Sequence, residues 1–184
     1  MTKIAITGGI GSGKSYVCER LRKRGVDVYD CDAAAKRLMR NDEGLKERLR
    51  QLIGNEVYVD GRLNKAVMAE FLLQSDSNRE AINAIVHPAV RRDFIASGSE
   101  WMECAILFES GFNTLVDYTI CVTAPEQVRI VRIMHRDNLT EEKARQWIAR
   151  QLPQEEVARR CDAIIINDGV TDLEAQLDKI MKES

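Results

Sequence analysis

The chain has 184 residues, 45% of them hydrophobic and 30% charged, with a formal net charge of −2. That is the size of one domain, or of one domain with an inserted lobe, and it supplies enough apolar side chains for a buried core. The balance of charge excludes a global basic field for nucleic acid or an anionic membrane surface, and no apolar run approaches the ~20 residues of a membrane span.

Lys3-Ile4-Ala5-Ile6-Thr7 is a short, mostly apolar run that reads as a buried strand, and no leader peptide is expected ahead of it. It runs into Gly8-Gly9-Ile10-Gly11-Ser12-Gly13-Lys14-Ser15, which fits G-x-x-x-x-G-K-[ST] without gap or substitution. Residues 16–23 follow with apolar side chains at Val17, Cys18 and Leu21, as in a packed helix. Strand, glycine loop and helix together make this a phosphate loop. Glycines let the backbone turn its N–H groups inward on phosphate oxygens, and the helix start adds unpaired N–H groups and the positive end of its dipole. Gly9, Gly11, Ser12 and Gly13 are expected to cradle the phosphates, Lys14 to reach the β- and γ-phosphates, and Ser15 to coordinate Mg²⁺. The expected ligand is a nucleoside triphosphate, ATP by default, and Tyr16, the next residue after the loop, is counted among the residues expected to bind it.

Gly25 closes the first helix and residues 26–30 read as the second strand, ending in Asp30-Cys31-Asp32. From there to about residue 99 the pattern is helical, over 33–40, 44–53, 65–73, 78–86 and 89–96, with a small extended piece at Val57-Tyr58-Val59 and a turn at Asp60-Gly61. Such a stretch between two strands is expected to form a lobe, 33–99. Residues 101–108 read as the third strand, 118–123 as the fourth and 163–167 as the fifth. Helices are expected from Pro125 to His135, from Thr140 onward with a capping-box-like start, and over 172–182. Strands alternating with helices predict an α/β fold, a doubly wound parallel sheet of five strands. Ligands bind such sheets at the carboxyl ends of the strands, which singles out Thr7, Asp30, Glu109, Thr123 and Asn167.

Several of these residues carry two readings. Asp32 at the rim either accepts a proton or holds a water on Mg²⁺, or it caps the helix that starts at Ala33. Glu109 either stands near Mg²⁺ or is a solvated strand-end carboxylate. Arg129, Arg132 and Arg136 recur at i, i+3 and i+7 on one helix face, either as a solvated basic stripe or as part of a lid over 132–151 that neutralises transferring phosphate. His87-Pro88 reads by itself as a helix boundary, and Arg91-Arg92 as a surface pair. The five cysteines have no C-x-x-C spacing, and with two histidines there is no zinc pattern, so a reducing cytoplasmic compartment is expected.

Together these pieces resemble the dephospho-coenzyme A kinase family over essentially the whole chain. Thr7 to Ser15 is similar to that family's loop, Asp30-Cys31-Asp32 to its Asp-x-Asp, and His87-Pro88 with Val90 to its His-Pro-x-Val. Leu107-Phe108-Glu109-Ser110-Gly111 is similar to its strand-end signature, while Gln127, Arg132, Arg136-Asp137, Gln151, Asn167 and Gly169 fall at its lid and adenine-side motifs. The chain departs from the family at Glu103, Ala105, Tyr16, Asn64-Lys65 and Trp147, where Asp, Pro, Thr, Asp-Arg and a lid Arg are usual. The resemblance implies a P-loop kinase fold with a helical substrate lobe and a helical lid. It implies transfer of the ATP γ-phosphate to the ribose 3′-hydroxyl of dephospho-coenzyme A, with no obligate protein partner. By the same resemblance Asp32 is the base, and Lys14 and Arg136 stabilise the moving phosphoryl group. Asp30, His87, Arg91 and Glu109 serve the acceptor side, and Asn167 lies near the adenine. Another small-molecule kinase of the same architecture, or a nucleotide-driven switch, remains the alternative at this stage.

Overall fold

The computed structural model describes residues 2–183. The chain forms two compact units, one made of residues up to Tyr29 and from Ser99 onward, the other of Asp30–Gly98.

In the first unit, β1 (Ile4–Thr7) is wholly buried and pairs in parallel with β5 (Trp101–Glu103), Ala5 opposite Met102, and with β6 (Tyr118–Thr123), Ala5 opposite Thr119. β6 in turn pairs in parallel with β7 (Ala163–Ile166). With β2 (Val28–Asp30), the order across the five-stranded sheet is β2-β5-β1-β6-β7. A strand covered on both faces must be apolar throughout, which is why Ile4-Ala5-Ile6 does not alternate. Ile4, Ile6, Ile120, Val122 and Ile165 pack with Val17, Cys18 and Leu21 of α1 (Lys14–Lys23) and with Leu177 and Ile180 of α9 (Leu173–Glu183). A second cluster joins α6 (Glu126–Asp137) to α7 (Glu141–Ala149) through Ile130, Ile133 and Ala144, with Ile10 of the phosphate loop packed against it. The Thr140 hydroxyl caps α7 by accepting from the Lys143 N–H. Between α7 and β7 lies α8 (Gln154–Arg160), a helix the sequence reading did not anticipate.

The second unit holds α2 (Cys31–Asn41), α3 (Glu43–Ile53), α4 (Lys65–Gln74) and α5 (Asp76–Ser97), with a hairpin of β3 (Tyr58–Val59) and β4 (Arg62–Leu63). α2, α3 and α4 all pack on α5 through Ile82, Val86, Val90 and Phe94 and their neighbours. Asp60 and Gly61 both have positive φ, 48° and 75°, the two-residue turn whose twist suits a tight hairpin.

Three expectations need correction. The third strand ends at Glu103 and does not run to residue 108. Beyond the last ladder contact, from Cys104 N–H to Ile6 carbonyl, the chain folds into turns, and Ile106-Leu107-Phe108 buries Leu107 within them. A short apolar run has no periodicity to separate strand from buried turn. Next, α5 continues unbroken through His87-Pro88. Proline inside the helix forfeits one backbone bond, and the apolar face of a 22-residue helix outweighs it. Finally, the cap of α2 is Asp30, whose carboxylate accepts from the Ala33 N–H at 2.9 Å, while Asp32 sits in the first turn.

Candidate active site

The loop Gly8–Ser15 leaves β1 and enters α1 through glycines in conformations closed to other residues. Gly13 has φ 84°, and a Cβ there would lie 2.0 Å from the Asn167 amide nitrogen. Gly11 has φ 78°, and its Cβ would lie 2.6 Å from the Arg129 carbonyl oxygen. The backbone therefore makes a cradle that side chains cannot occupy, which is the fit a polyphosphate requires.

The underside of that cradle is gripped from four directions. Asn167 donates its amide to the Ser12 carbonyl at 2.9 Å, and Arg132 Nη1 donates to the carbonyls of Gly11 at 3.3 Å and Ser12 at 3.2 Å. Arg129 Nε donates to the Ile10 carbonyl at 2.9 Å, and the Ile10 N–H is bound by Gln151 Oε1 at 2.7 Å. With these carbonyls tied back, the anion-binding face is left to the loop N–H groups other than those of Ile10, bound by Gln151, and Ser12, which donates to the Gly9 carbonyl at 3.1 Å. Arg129 is 5% exposed, and burial lowers its pKa below the usual guanidinium range. Ser12 is fully buried, and its hydroxyl has no hydrogen-bond partner among the described residues.

Lys14 Nζ and Ser15 Oγ both meet Glu103 Oε1, at 2.6 and 2.7 Å, while Arg22 Nη2 lies 3.3 Å from Glu103 Oε2. Burial works to raise the Glu103 pKa, but the Lys14 charge and hydrogen bonds from Lys14, Ser15 and Cys18 outweigh it and hold the carboxyl below its usual value. Burial and the adjacent Glu103 charge push the Cys18 thiol up, so it stays a neutral donor. Ser15 and Glu103 offer hard oxygen donors of the kind Mg²⁺ takes. Among the described residues no group of three or more His, Cys, Asp or Glu could hold a metal by itself, so such an ion would draw its remaining ligands from phosphates and water.

The site residues named from sequence are thus distributed unevenly. Gly9, Gly11, Ser12, Gly13, Lys14 and Ser15 form one loop, and Asn167 lies beneath it as a buttress, its amide spent on Ser12. Tyr16 begins the exposed side of α1, its ring under the Arg20 guanidinium at 5.6 Å. Glu109 is exposed in the turns after β5, and the acidic strand end falls to Glu103. Arg136 pairs with its neighbour Asp137 at 2.7 Å, while Arg129 and Arg132 on the same helix engage the loop. In the other unit, Asp30 is spent on its cap, and Asp32 is exposed in the first turn of α2. His87 is half-buried within α5, and burial lowers its pKa; Arg91, one turn on, is exposed. The sequence places Arg129 in a basic stripe or lid and Gln151 among lid and adenine-side motifs, and marks Glu103 only as a departure from the family's Asp; it does not reveal their hold on the loop. For Glu103 the signal was present, as the acid that ends Trp101-Met102, but the apolar run after it carried the predicted strand too far.

A family model described as dephospho-CoA kinase matches residues 2–172. A protein named dephospho-CoA kinase from Bacteroides fragilis is 40% identical over 182 residues, covering 95% of this chain and 89% of its own length. A Thermus thermophilus protein of known structure superposes with a TM-score of 0.84 at 34% identity, over 99% of this chain and 97% of its own. At 20% identity, the structure named dephospho-CoA kinase from Campylobacter jejuni shares the fold, with a TM-score of 0.69 over 98% of this chain and 96% of its own. The match runs through the loop, the sheet and both helical regions, and the chain belongs to the dephospho-CoA kinase family.

Proposed function

We propose that the chain transfers the γ-phosphoryl group of ATP to the ribose 3′-hydroxyl of dephospho-coenzyme A, giving coenzyme A and ADP. The observation that carries the reading is the loop from Gly8 to Ser15, a glycine-built cradle whose lysine and serine converge on one buried carboxylate. Family membership makes the protein a kinase that uses ATP, and the acceptor is the one the family is named for.

In this reading the loop N–H groups bind the phosphates, and Lys14 moves from Glu103 toward the β- and γ-phosphates as they enter. Ser15, with Glu103 directly or through water, holds Mg²⁺, which neutralises charge on the phosphate oxygens when bound. Arg132 and Arg136 add positive charge on the lid side, Arg136 exchanging Asp137 for phosphate. Asp32 accepts the proton of the attacking 3′-hydroxyl, a role its release from capping leaves open. His87 and Arg91 orient the acceptor. The five cysteines are unbridged, which fits a reducing, cytoplasmic setting.

The test is ADP release measured with and without dephospho-coenzyme A. Release that depends on the acceptor, with one acceptor phosphorylated per ADP, supports the reading. Steady release without any acceptor contradicts it.

A further inference from the structure

Arg129 is buried in the opening turn of α6, and among the described residues it forms no ion pair. Its guanidinium donates from Nε to the Ile10 carbonyl at 2.9 Å, a neutral acceptor. Two acids act on it at a distance, and both are placed elsewhere: Glu126 pairs with Arg145 at 2.6 Å, and Glu155 is exposed. The helix itself is no help, because a cation in the first turn stands near the positive end of the dipole. Burial, the lack of a counter-charge and the wrong helix end all act against this charge. Arg132, one turn on, keeps partial access to water, and Arg129 does not.

The charge has a place where it is useful. The guanidinium lies against the underside of the phosphate loop: a Cβ on Gly9 would come within 2.5 Å of Nη2 and 3.2 Å of Cζ. A Cβ on Gly11 would lie 2.6 Å from the Arg129 carbonyl oxygen, so the residue touches the loop at both glycines. The Gly9–Gly11 backbone thus lies between this charge and the anion-binding face. Away from water, a charge acts across such a layer with little screening.

We propose that Arg129 is a positioning residue that also tunes the loop to phosphate charge, its guanidinium being left uncompensated without nucleotide and compensated when a polyphosphate occupies Gly8–Ser15. The inference rests on the reading that this loop binds the phosphates of ATP, and it is independent of which acceptor is phosphorylated. It adds to the loop N–H groups a preference for ATP over AMP, set by charge and not by shape.

Two substitutions separate the charge from the hydrogen bond. In Arg129→Gln the amide Nε2 falls at the same number of bonds from the backbone as the arginine Nε, so the donor to Ile10 stays and the charge goes. Arg129→Lys keeps the charge but puts a methylene at that position, so the bond goes.

The experiment is calorimetric titration of the wild type and both variants with ATP, and with AMP by competition, in the absence of acceptor. Urea unfolding of the nucleotide-free proteins accompanies it. Arg129→Gln is expected to weaken ATP binding about tenfold and AMP binding less than about threefold. Its urea midpoint should equal or exceed that of the wild type, since an uncompensated buried charge is gone. Arg129→Lys should keep the ATP-to-AMP affinity ratio near that of the wild type while its urea midpoint falls. Unchanged ATP affinity in Arg129→Gln overturns the proposal. Equal losses for ATP and AMP together with a lower urea midpoint also overturn it, being the pattern of a plain structural buttress. Should Arg129→Gln not fold, Arg129→Lys decides alone, and collapse of its ATP-to-AMP ratio overturns the proposal. Failure of the wild type to bind ATP removes the loop reading and this assignment with it, whereas failure to phosphorylate dephospho-coenzyme A removes only the acceptor.

Discussion

Lys14 and Glu103 form a buried ion pair, Nζ to Oε1 2.6 Å apart, with side chains 11% and 4% exposed. The carboxylate anchors Lys14 and Ser15 at once. Removing it strands a buried ammonium, so Glu103→Ala should destabilise the fold by about 3–5 kcal/mol, read by urea unfolding. The pH dependence has a definite sign. The Glu103 carboxyl is held below its ordinary value of 4.5 in the folded chain, so the unfolded chain takes up its proton first as pH falls. Its contribution is therefore complete above about pH 4.5 and is lost as pH drops through the lowered value. Glu103→Gln should flatten the unfolding profile in that acid window; an unaltered profile would mean the pair contributes nothing to stability.

Gly13 packs against Asn167 so closely that a methyl group has no place. Gly13→Ala should weaken ATP binding at least a hundredfold, through both the clash and its φ of 84°. Asn167→Ala in the same chain removes the clash but not the backbone strain, so rescue should be partial. Full recovery of affinity, measured by calorimetric titration, would show that strain plays no part.

On the proposed reading the two aspartates at the start of α2 divide their tasks, Asp30 capping the helix and Asp32 taking the proton. Asp30→Ala should cost about 1 kcal/mol as a lost cap. Asp32→Asn should leave the melting temperature nearly unchanged and lower kcat roughly 10²–10⁴-fold. If Asp32→Asn retains normal turnover, the proton acceptor lies elsewhere.

Ile10 is held three ways, by its side chain in the α6–α7 cluster, its carbonyl on Arg129 and its N–H on Gln151. Gln151→Ala leaves that N–H without its acceptor, which should cost about 1–3 kcal/mol and loosen the loop. We expect a raised KM for ATP and a melting temperature lower by roughly 2–4 °C per kcal/mol. Gln151→Glu keeps an acceptor in place and should retain most of the lost function. Equal losses in both variants would argue against the hydrogen bond as the cause.

Much of this is legible in the sequence. The glycine loop carries its own geometry, because positive φ at Gly11 and Gly13 and the Lys14-Ser15 pair are written as residue types. The strands β1 and β6 stood out as apolar runs bounded by polar ends, and the hairpin turn stood out at Asp60-Gly61. Lost from view were features decided by packing across distant segments. Glu103 is distinguished from Glu109 only by where the ladder stops, and Gln151 reaches Ile10 across 141 residues. Pro88 looked like a break because its local cost is plain in sequence, whereas the burial that offsets it depends on α2, α3 and α4.

The most direct measurement is mass spectrometry of the products after incubation with Mg-ATP and a mixture of dephospho-coenzyme A, nucleoside monophosphates and gluconate, followed by phosphorus NMR of any phosphorylated product. We predict a single new species, dephospho-coenzyme A carrying one added phosphate on its ribose 3′-oxygen. Phosphate on a different acceptor, or at another position of this one, would contradict the reaction assigned here.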